Sequence, residues 1–311
     1  MNKLYLGIDI GSVMIKGVII DKNENIMTSA WTDVNGDQIM ATRKLLKMLK
    51  NDLDLDNYQI VSVGVTGVSR KLVGTFLEAK TIKNEILALA IGTSSLYPDV
   101  KTIVDIGGED AKMILLDDGV VTDYVMNSAC MAGVGIYLDN IVKRFKIDYV
   151  NLKVDSEIDI TAKCMLQAES DINHKLALGY SKEEVFRGVC KMIVKNYLSD
   201  AKGKNIKSPV VFTGGVSRYP IIYEYLKKDT GKKIIVDKNA NLMGALGIAI
   251  MAMKSKYERK FNFDILNDTL TTKMTKCPNC EHNCKLVMVY RNNEIINYWG
   301  NKCQKPVKQH N

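Results

Sequence analysis

The sequence predicts an α/β fold of two duplicated halves, followed by a small C-terminal cysteine-rich metal-binding module. The first observation is an internal repeat: residues 8–16 and 104–112 share one strand–turn–strand pattern, and such repeats indicate duplicated structural units. The second is a later strand that leads into a Thr-Gly-Gly turn at residues 213–215. The third is the clustering of cysteines after residue 276.

The repeat is defined by identities that keep one register. In each copy an apolar run enters a turn of small residues and a second apolar run leaves it, as in a β-hairpin. Two such hairpins facing each other would form a phosphate clamp with a carboxylate on each side. The paired positions are Asp9 and Asp105, Gly11 and Gly107, Lys16 and Lys112, and Asp21 and Asp117.

The first half is expected to span residues 1–100, with the helix at 240–253 added to it. Apolar β-branched runs predict strands, and a helical spacing of apolar residues predicts helices. The predicted strands are 4–10, 15–20 and 60–65; the predicted helices are 39–52, a short one after Arg70, and 83–92, which ends at Gly92.

The second half is expected to span residues 101–253. Its predicted strands are 101–106, 112–116, 210–212 and 233–236, with a hairpin turn at Asp117-Asp118-Gly119. Its predicted helices are 133–145, 165–178, 181–198, which opens on a Ser181/Glu184 capping box, and 241–253. Residues 254–272 are polar without a clear period and are predicted to be a linker. The C-terminal module, residues 273–311, is predicted to contain ribbon strands at 286–290 and 294–298.

Composition excludes several classes of protein. At 311 residues, with 46% apolar and 25% charged residues, the chain is typical of a globular protein with a sizeable core. It has neither an apolar run of membrane-spanning length nor a secretory signal, so a cytoplasmic protein is expected. The net charge of +8 indicates either a lysine-rich solvated surface or attraction to acidic partners such as a nucleotide or coenzyme A. No basic run is interleaved with aromatic residues, so nucleic acid is not an expected partner.

The two turns carry residues suited to binding phosphate. Gly11, Gly107 and Gly108 let the backbone approach phosphate oxygens, where a Cβ would obstruct. Ser12 and neighbouring backbone N–H groups can donate to phosphate, and Lys16 can supply positive charge. These residue types predict a polyphosphate ligand between the two hairpins.

The carboxylates of the turns are the candidate catalytic groups. Asp9 and Asp105 can hold a hydrated Mg²⁺, which prefers few carboxylates together with water and phosphate. Glu109 is placed to orient an attacking water. Backbone that packs against a nucleoside is expected at Gly214 and Gly215, and on the following helix at Gly244.

Together these motifs resemble the nucleotide site shared by actin, Hsp70 chaperones and sugar kinases, over roughly residues 4–253. The resemblance implies a ribonuclease H-like fold that binds ATP or ADP with Mg²⁺. It assigns Asp9, Gly11, Ser12 and Lys16 to phosphate loop one, Asp105, Gly107, Gly108 and Asp110 to phosphate loop two, and Thr213, Gly214, Gly215 and Val216 to the adenosine loop. Further expected nucleotide contacts are Val13, Lys112, Gly133 and Gly244.

Two cysteines in the second half, Cys130 and Cys164, each stand just before a predicted helix. A helix N-terminus stabilises a thiolate or an anionic iron–sulfur cluster, and a [4Fe–4S] cluster usually takes four thiolates. Two subunits of a symmetric dimer would supply four from this pair. From spacing alone, ordinary packing of two small apolar residues is the competing interpretation.

The segments around these cysteines resemble the ATP-dependent activators of 2-hydroxyacyl-CoA dehydratases, a superfamily that includes ATP-binding subunits of benzoyl-CoA reductase. The matching segments are Ile106–Lys112, Cys130–Gly135 and Cys164–Ser170. The resemblance implies a homodimer with one [4Fe–4S] cluster bridging the subunits through Cys130 and Cys164. It also implies ferredoxin or flavodoxin as electron donor and an iron–sulfur dehydratase or reductase as partner. Glu109 stands where the family pattern has glutamine.

The remaining cysteines have other expected roles. Cys190 lies in mid-helix and is expected to be core, while four terminal cysteines have the spacing C-x₂-C-x₃-C-x₁₈-C. Such spacing predicts a metal site that stabilises a module too small for its own core. The spacing does not distinguish Zn²⁺ from a second iron–sulfur cluster as the occupant of this site, and His282 could replace one thiolate as a ligand. The terminal set is Cys277, Cys280, Cys284 and Cys303.

Two other functions are consistent with parts of the sequence. A small-molecule kinase of the same fold, such as an N-acetylhexosamine kinase, would need a carboxylate base near an acceptor hydroxyl, and it leaves Cys130 and Cys164 unexplained. A non-enzymatic regulator would use the terminal cysteine box to bind a partner or nucleic acid. The kinase would transfer phosphate to a sugar without binding iron, and the regulator would not turn over ATP, whereas an activator would both bind iron and hydrolyse ATP.

Overall fold

The structure, a computed structural model, describes residues 1–54, 56–152, 156 and 158–303. Within those residues the strands form two five-stranded sheets and one three-stranded sheet. The first sheet consists of β1 (Asn2–Ile10), β2 (Met14–Ile20), β3 (Ile26–Asp33), β4 (Tyr58–Gly67) and β5 (Thr81–Ile82). β1, β2 and β3 form an antiparallel meander, and β4 and β5 continue from β1 in parallel.

The second sheet repeats this arrangement of strands. It consists of β6 (Thr102–Ile106), β7 (Ala111–Asp117), β8 (Val120–Met126), β9 (Val210–Thr213) and β10 (Ile234–Val236). β6, β7 and β8 form the antiparallel meander, and β9 and β10 continue from β6 in parallel. The two sheets therefore share both strand order and strand direction.

Helices flank the two sheets. Their bounds are α1 (Gln38–Asn51), α2 (Arg70–Phe76), α3 (Glu85–Leu96), α4 (Val134–Phe145), α5 (Met165–Ala177), α6 (Lys182–Asp200), α7 (Pro220–Thr230) and α8 (Met243–Lys254). The predicted capping box opens α6: the Ser181 hydroxyl accepts from the Glu184 N–H, and the Glu184 carboxylate accepts from the Ser181 N–H. Such a box satisfies two N–H groups that a helix start leaves unpaired.

The core between the two sheets depends on close packing of α3 against α8. A methyl group at Gly247 would overlap the Ala88 carbonyl oxygen, and one at Gly92 would overlap the Met243 carbonyl oxygen. The sequence-based expectation that α3 ends at Gly92 is wrong, because this glycine permits helix contact and the helix continues to Leu96. Both helices join an apolar cluster with residues of both sheets, among them Val18 and Ile114.

Several of the observed elements are absent from the sequence-based prediction, among them β3, β5, β8 and α7. β3 lies at the edge of its sheet and alternates between exposed positions and positions that are half-buried or buried, so it lacks a continuous apolar run. α7 begins at Pro220, a residue that the first helical position tolerates because its missing N–H has no intrahelical partner there. Between β9 and α7 the chain makes a 3-10 turn at Gly215–Arg218.

The C-terminal sheet consists of β11 (Leu270–Lys276), β12 (Lys285–Arg291) and β13 (Glu294–Trp299), paired antiparallel in that order. Its last two strands are the predicted ribbon, and they meet at Asn292 and Asn293, which have φ angles of 50° and 71°. Asparagine tolerates such left-handed backbone in two-residue hairpin turns. Arg291 joins the sheet to the first half by an ion pair with Glu78, and it also pairs with Asp268 in the segment before β11.

Residues 254–272, predicted as a linker, do not run free of the body. The Phe261 N–H donates to the Ile60 carbonyl at 2.9 Å, and Phe263 is buried in the core of the first half. The segment also contains a 3-10 turn at Phe263–Asn267 and the start of β11. Its apolar residues are too few to show a period, yet they suffice to attach it to β4.

Within the residues that the structure describes, no helix combines the length and the hydropathy that a membrane span requires.

Candidate functional site

A cleft is lined by the β1–β2 turn of the first sheet and the β6–β7 turn of the second, and it contains most of the residues predicted to contact a nucleotide. It encloses about 930 Å³ of space, part of which opens to solvent. Of the predicted nucleotide contacts, Gly133 and Thr213 are outside its lining. The predicted residues that line it are Asp9, Gly11, Ser12, Val13, Lys16, Asp105, Gly107, Gly108, Glu109, Asp110, Lys112, Gly214, Gly215, Val216 and Gly244.

The turn predicted as phosphate loop one connects β1 and β2. Asp9 and Lys16 are cross-strand neighbours, and their side chains form an ion pair of 3.3 Å. The Gly11 N–H donates to the Met14 carbonyl at 3.0 Å, which closes the turn. Both ion-pair side chains are largely buried, with 14% of Asp9 and 16% of Lys16 exposed, so the pair faces the cleft rather than bulk solvent.

Phosphate loop two is built in the same way between β6 and β7. Asp105 and Lys112 are cross-strand neighbours with an ion pair of 3.7 Å, and the Gly107 N–H donates to the Asp110 carbonyl at 2.8 Å. The Thr213 hydroxyl donates to Asp105 at 2.8 Å. Burial lowers the pKa of Lys112, but the carboxylates of Asp105 and Glu85 raise it by more, so the net shift is upward. Lys112 is therefore a fixed cation in the cleft.

Glu85 is a cleft carboxylate that sequence reasoning missed. It is the first residue of α3 and pairs with Lys112 at 3.4 Å, so the ion pair joins the first half to the second. Burial raises the pKa of Glu85, the Lys112 ammonium opposes this, and the charges of Asp9 and Asp105 raise it further. The available signal was Asn84, whose side chain caps α3 and so directs Glu85 to the helix start.

We expect Glu85→Gln to change how stability depends on pH. Because the folded-state pKa of Glu85 is raised, its stabilising contribution is full below the ordinary carboxyl pKa and is lost as pH rises through the raised value. The free energy of unfolding of the wild type, relative to Glu85→Gln, should therefore fall as pH rises above the ordinary carboxyl pKa of about 4. Urea unfolding of the nucleotide-free protein across this range measures the difference. Glu109→Gln is the matched control, since Glu109 is an exposed carboxylate of the same cleft, and a flat difference for Glu85→Gln would contradict the expectation.

The N-terminus of α4 is attached directly to phosphate loop two. The Gly133 N–H donates to the Glu109 carbonyl at 2.7 Å, and the Gly135 N–H donates to the Gly108 carbonyl at 3.0 Å. Gly133 has a φ of 81°, which its lack of a side chain permits. Gly133 thus contacts loop two on the side away from the cleft. Gly135, two residues further on, lines the cleft. A methyl group at Gly135 would overlap the Gly107 carbonyl oxygen.

The end of the cleft at the predicted adenosine loop contains an ion pair that the sequence did not indicate. Arg218 follows Gly214 and Gly215 in the 3-10 turn, and it pairs with Asp139 of α4. The Tyr219 hydroxyl donates to the same carboxylate. Burial lowers the pKa of Arg218, but its bonds to Asp139 and Tyr219 raise it by more. The turn and α4 are therefore joined at this end of the cleft, as α4 and loop two are at the other.

Cys130 and Cys164 lie in two loops that the described structure leaves accessible. Cys130 is exposed in a 3-10 turn at Ala129–Met131, just before α4. Cys164 is half-buried at the N-cap of α5, where its Sγ accepts from the Gln167 N–H at 3.5 Å. Their helices are joined by a two-point ion pair between Arg144 and Glu169. Cys164 thus has the helix-start position that favours a thiolate, Cys130 is the more exposed of the two, and neither thiol is part of the core.

The other cysteines are placed differently. Cys190 is fully buried, and this burial raises the pKa of its thiol, as expected for a core residue. Among the terminal cysteines, Cys277 is buried, Cys284 is half-buried, and Cys280 and Cys303 are exposed. In the part of the chain that the structure describes, no group of three or more His, Cys, Asp or Glu side chains is arranged to hold a metal ion. The terminal thiols are therefore not gathered into the predicted site.

The fold puts the protein in the class with the mixed α/β architecture of actin and the sugar kinases. This likeness extends to a ROK family glucokinase from Streptomyces griseus solved with glucose and AMPPNP, at 12% identity and a TM-score of 0.54 over 81% of this chain and 100% of that one. Residues 6–252 match the model of one family, and the chain belongs to it: the BadF/BadG/BcrA/BcrD ATPase family.

Relatives with named activities are similar along most of their length. The 2-hydroxyisocaproyl-CoA dehydratase activator of Clostridioides difficile is 31% identical over 81% of this chain and 96% of its own. The (R)-2-hydroxyglutaryl-CoA dehydratase activating ATPase of Acidaminococcus fermentans is 29% identical over 82% and 98%. A solved activator of the 2-hydroxyisocaproyl-CoA dehydratase from Clostridium difficile, with bound ADPNP, has a TM-score of 0.73 at 30% identity, over 81% of this chain and 94% of that one.

Proposed function

We propose that this protein is an ATP-dependent activator that passes single electrons to an iron–sulfur enzyme of the 2-hydroxyacyl-CoA dehydratase type, or to a related reductase of CoA substrates. The activities named for its relatives support the proposal. The observation that carries it in this chain is the hydrogen bond from Gly133 to the Glu109 carbonyl. That bond joins the turn of Cys130 to phosphate loop two, so a change at the nucleotide reaches the cysteine through a few bonds.

The two phosphate loops perform the ATPase part of the proposal. Asp9 and Asp105 would hold Mg²⁺, since two carboxylates facing one cleft leave room for the water and phosphate ligands that this ion prefers. Lys16 and Lys112 place positive charge beside the same phosphates. Glu109 would orient the attacking water. The Glu85 carboxyl, beside Lys112, is a second acidic side chain in the same cleft.

Cys130 and Cys164 are proposed to hold the [4Fe–4S] cluster. Their exposure fits a cluster shared by two copies of the chain, because each subunit then supplies only two of the four thiolates. The α5 N-terminus favours negative charge at Cys164. Bound there, the cluster would supply a one-electron carrier, with ferredoxin or flavodoxin as the donor. A metal at Cys277, Cys280, Cys284 and Cys303 is not part of the proposal, because those thiols are not gathered in the described structure.

Closure of the cleft is the proposed source of coupling. In this proposal the two duplicated ATPase halves are residues 1–100 and residues 101–253, of which α8 packs on the first half. The Glu85–Lys112 pair joins the two halves. ATP that contacts both halves favours the closed arrangement over the open one, and differential binding to two states is what shifts an equilibrium. Because Gly133 and Gly135 fix α4 to loop two, closure moves α4 and the Cys130 turn together.

Anaerobic purification tests the proposal. We expect a coloured homodimer with about four iron atoms per dimer, an EPR signal after reduction with dithionite, and a change in that signal when ATP is added. Light scattering, iron analysis and EPR measure these properties. A colourless monomer, or phosphate transfer to a sugar by a protein without iron, would contradict the proposal and favour the kinase.

A further inference from the structure

The C-terminal end of α6 contacts both cysteine loops. The Asn196 side-chain amide donates to the Ala162 carbonyl at 3.0 Å and to the Lys163 carbonyl at 3.4 Å, directly before Cys164. The Asp200 carboxylate accepts from the N–H of Ser128 at 2.9 Å and from its hydroxyl at 3.0 Å, two residues before Cys130. Two loops distant in sequence are thus held by one helix end.

The spacing of the two contacts places them on one face of the helix. Asn196 and Asp200 are four residues apart, and residues at this spacing lie one above the other on a helix surface. One rigid element therefore sets the separation of the two loops. A set separation is what a cluster that spans both cysteines requires, because its ligand distances vary by only a fraction of an ångström.

Asp200 occupies a position that the helix itself disfavours. It is the last residue of α6, and a carboxylate near a helix C-terminus opposes the helix dipole. A residue that is unfavourable for its own helix is found mainly where its side chain has a role in a functional site. The bonds to Ser128 are the compensation that the structure shows for Asp200.

The same part of α6 also contacts the nucleotide cleft. Tyr197, next to Asn196, is buried, and its hydroxyl donates to the Lys112 carbonyl at 2.8 Å. Lys112 lines the cleft and pairs with Asp105 and Glu85. The helix end thus lies between the cleft lysine on one side and the two cysteine loops on the other.

We infer that Asn196 and Asp200 are positioning residues that hold the Cys130 and Cys164 loops at the distance a shared iron–sulfur cluster needs. This inference rests on the proposed function, because it presumes that the two thiolates bind the cluster. Neither residue lines the nucleotide cleft, so ATP hydrolysis does not depend on either side chain directly. Their effect is on the retention and electronic properties of the cluster, as expected for groups that orient ligands.

The test uses the anaerobically purified holoprotein with Asp200→Ala and Asn196→Ala. We expect a ferrous chelator to remove iron about 10-fold faster from each variant than from the wild type. The EPR line shape and the midpoint potential of the retained cluster should shift, while the rate of ATP hydrolysis and its KM stay within about twofold of wild type. Asp200→Asn, which keeps an oxygen acceptor for the Ser128 N–H, should restore most of the iron retention. Ser199→Ala, an exposed neighbour on α6, is the matched control.

The outcomes separate this inference from the proposed function. A wild-type protein without iron overturns both. An iron-containing wild type, together with alanine variants that release iron at the wild-type rate and show its spectrum and potential, overturns the positioning role alone. If Asp200→Ala does not fold, Asp200→Asn and Asn196→Ala decide the result by the same measurements.

Discussion

Asp105→Asn is expected to lower the rate of ATP hydrolysis by about 100-fold or more, because it removes charge from the centre of the cleft where phosphate and metal charge must be balanced. Asp105 is only 7% exposed and faces Lys112 across the β6–β7 hairpin. Asparagine has nearly the same shape and can still accept the Thr213 hydroxyl. The substitution thus changes the electrostatics of the site and leaves its packing intact. Hydrolysis rates at saturating ATP, with thermal unfolding as a check on folding, measure the effect.

Asp9→Asn should have an effect of similar size, because Asp9 has the equivalent position in loop one and pairs with Lys16. Asp117→Asn is the matched control: it belongs to the same sequence repeat but lies at an exposed hairpin turn, paired with Lys101. Hydrolysis by either cleft variant at the rate of Asp117→Asn would contradict the assignment of the two aspartates to the catalytic site.

The parts of the site that could be predicted are those encoded within short segments. A hairpin brings Asp9 to Lys16 and Asp105 to Lys112 through cross-strand pairing, so the repeated sequence pattern is sufficient to indicate each pair. The turn glycines and the two helix-start cysteines are local in the same sense. The parallel strands β1, β4, β6 and β9 were predicted from apolar runs, since buried parallel strands have little polar interruption.

The parts that could not be predicted depend on contacts between segments far apart in the chain. Glu85 lines the cleft only because α3 packs against α8 and faces the second half. Asp139 pairs with Arg218, which lies far along the chain, and neither residue belongs to a motif. The contacts of Asn196 and Asp200 depend likewise on the path of two loops over α6. Sequence periodicity shows which face of an element is apolar, and it does not show what that face meets.

Cys130→Ala is expected to abolish iron binding by the dimer while leaving the ATPase fold intact. In the proposed arrangement each subunit supplies two thiolates, so the substitution removes two of four ligands from one shared cluster. Cys130 is exposed and its side chain supports no core packing, so little loss of stability is expected. Iron analysis and EPR of anaerobically purified protein measure the first effect, and thermal unfolding measures the second.

Cys164→Ala should lose iron in the same way, and the remaining cysteines provide controls of two kinds. Cys190→Ala changes a fully buried thiol, so it should lower stability by roughly 1 kcal/mol through the small cavity it leaves and keep the iron. Cys280→Ala and Cys303→Ala change exposed terminal thiols and should also keep the iron of the bridging cluster. If iron persists in Cys130→Ala and disappears in Cys280→Ala, the redox centre must be assigned to the C-terminal module and not to the dimer axis.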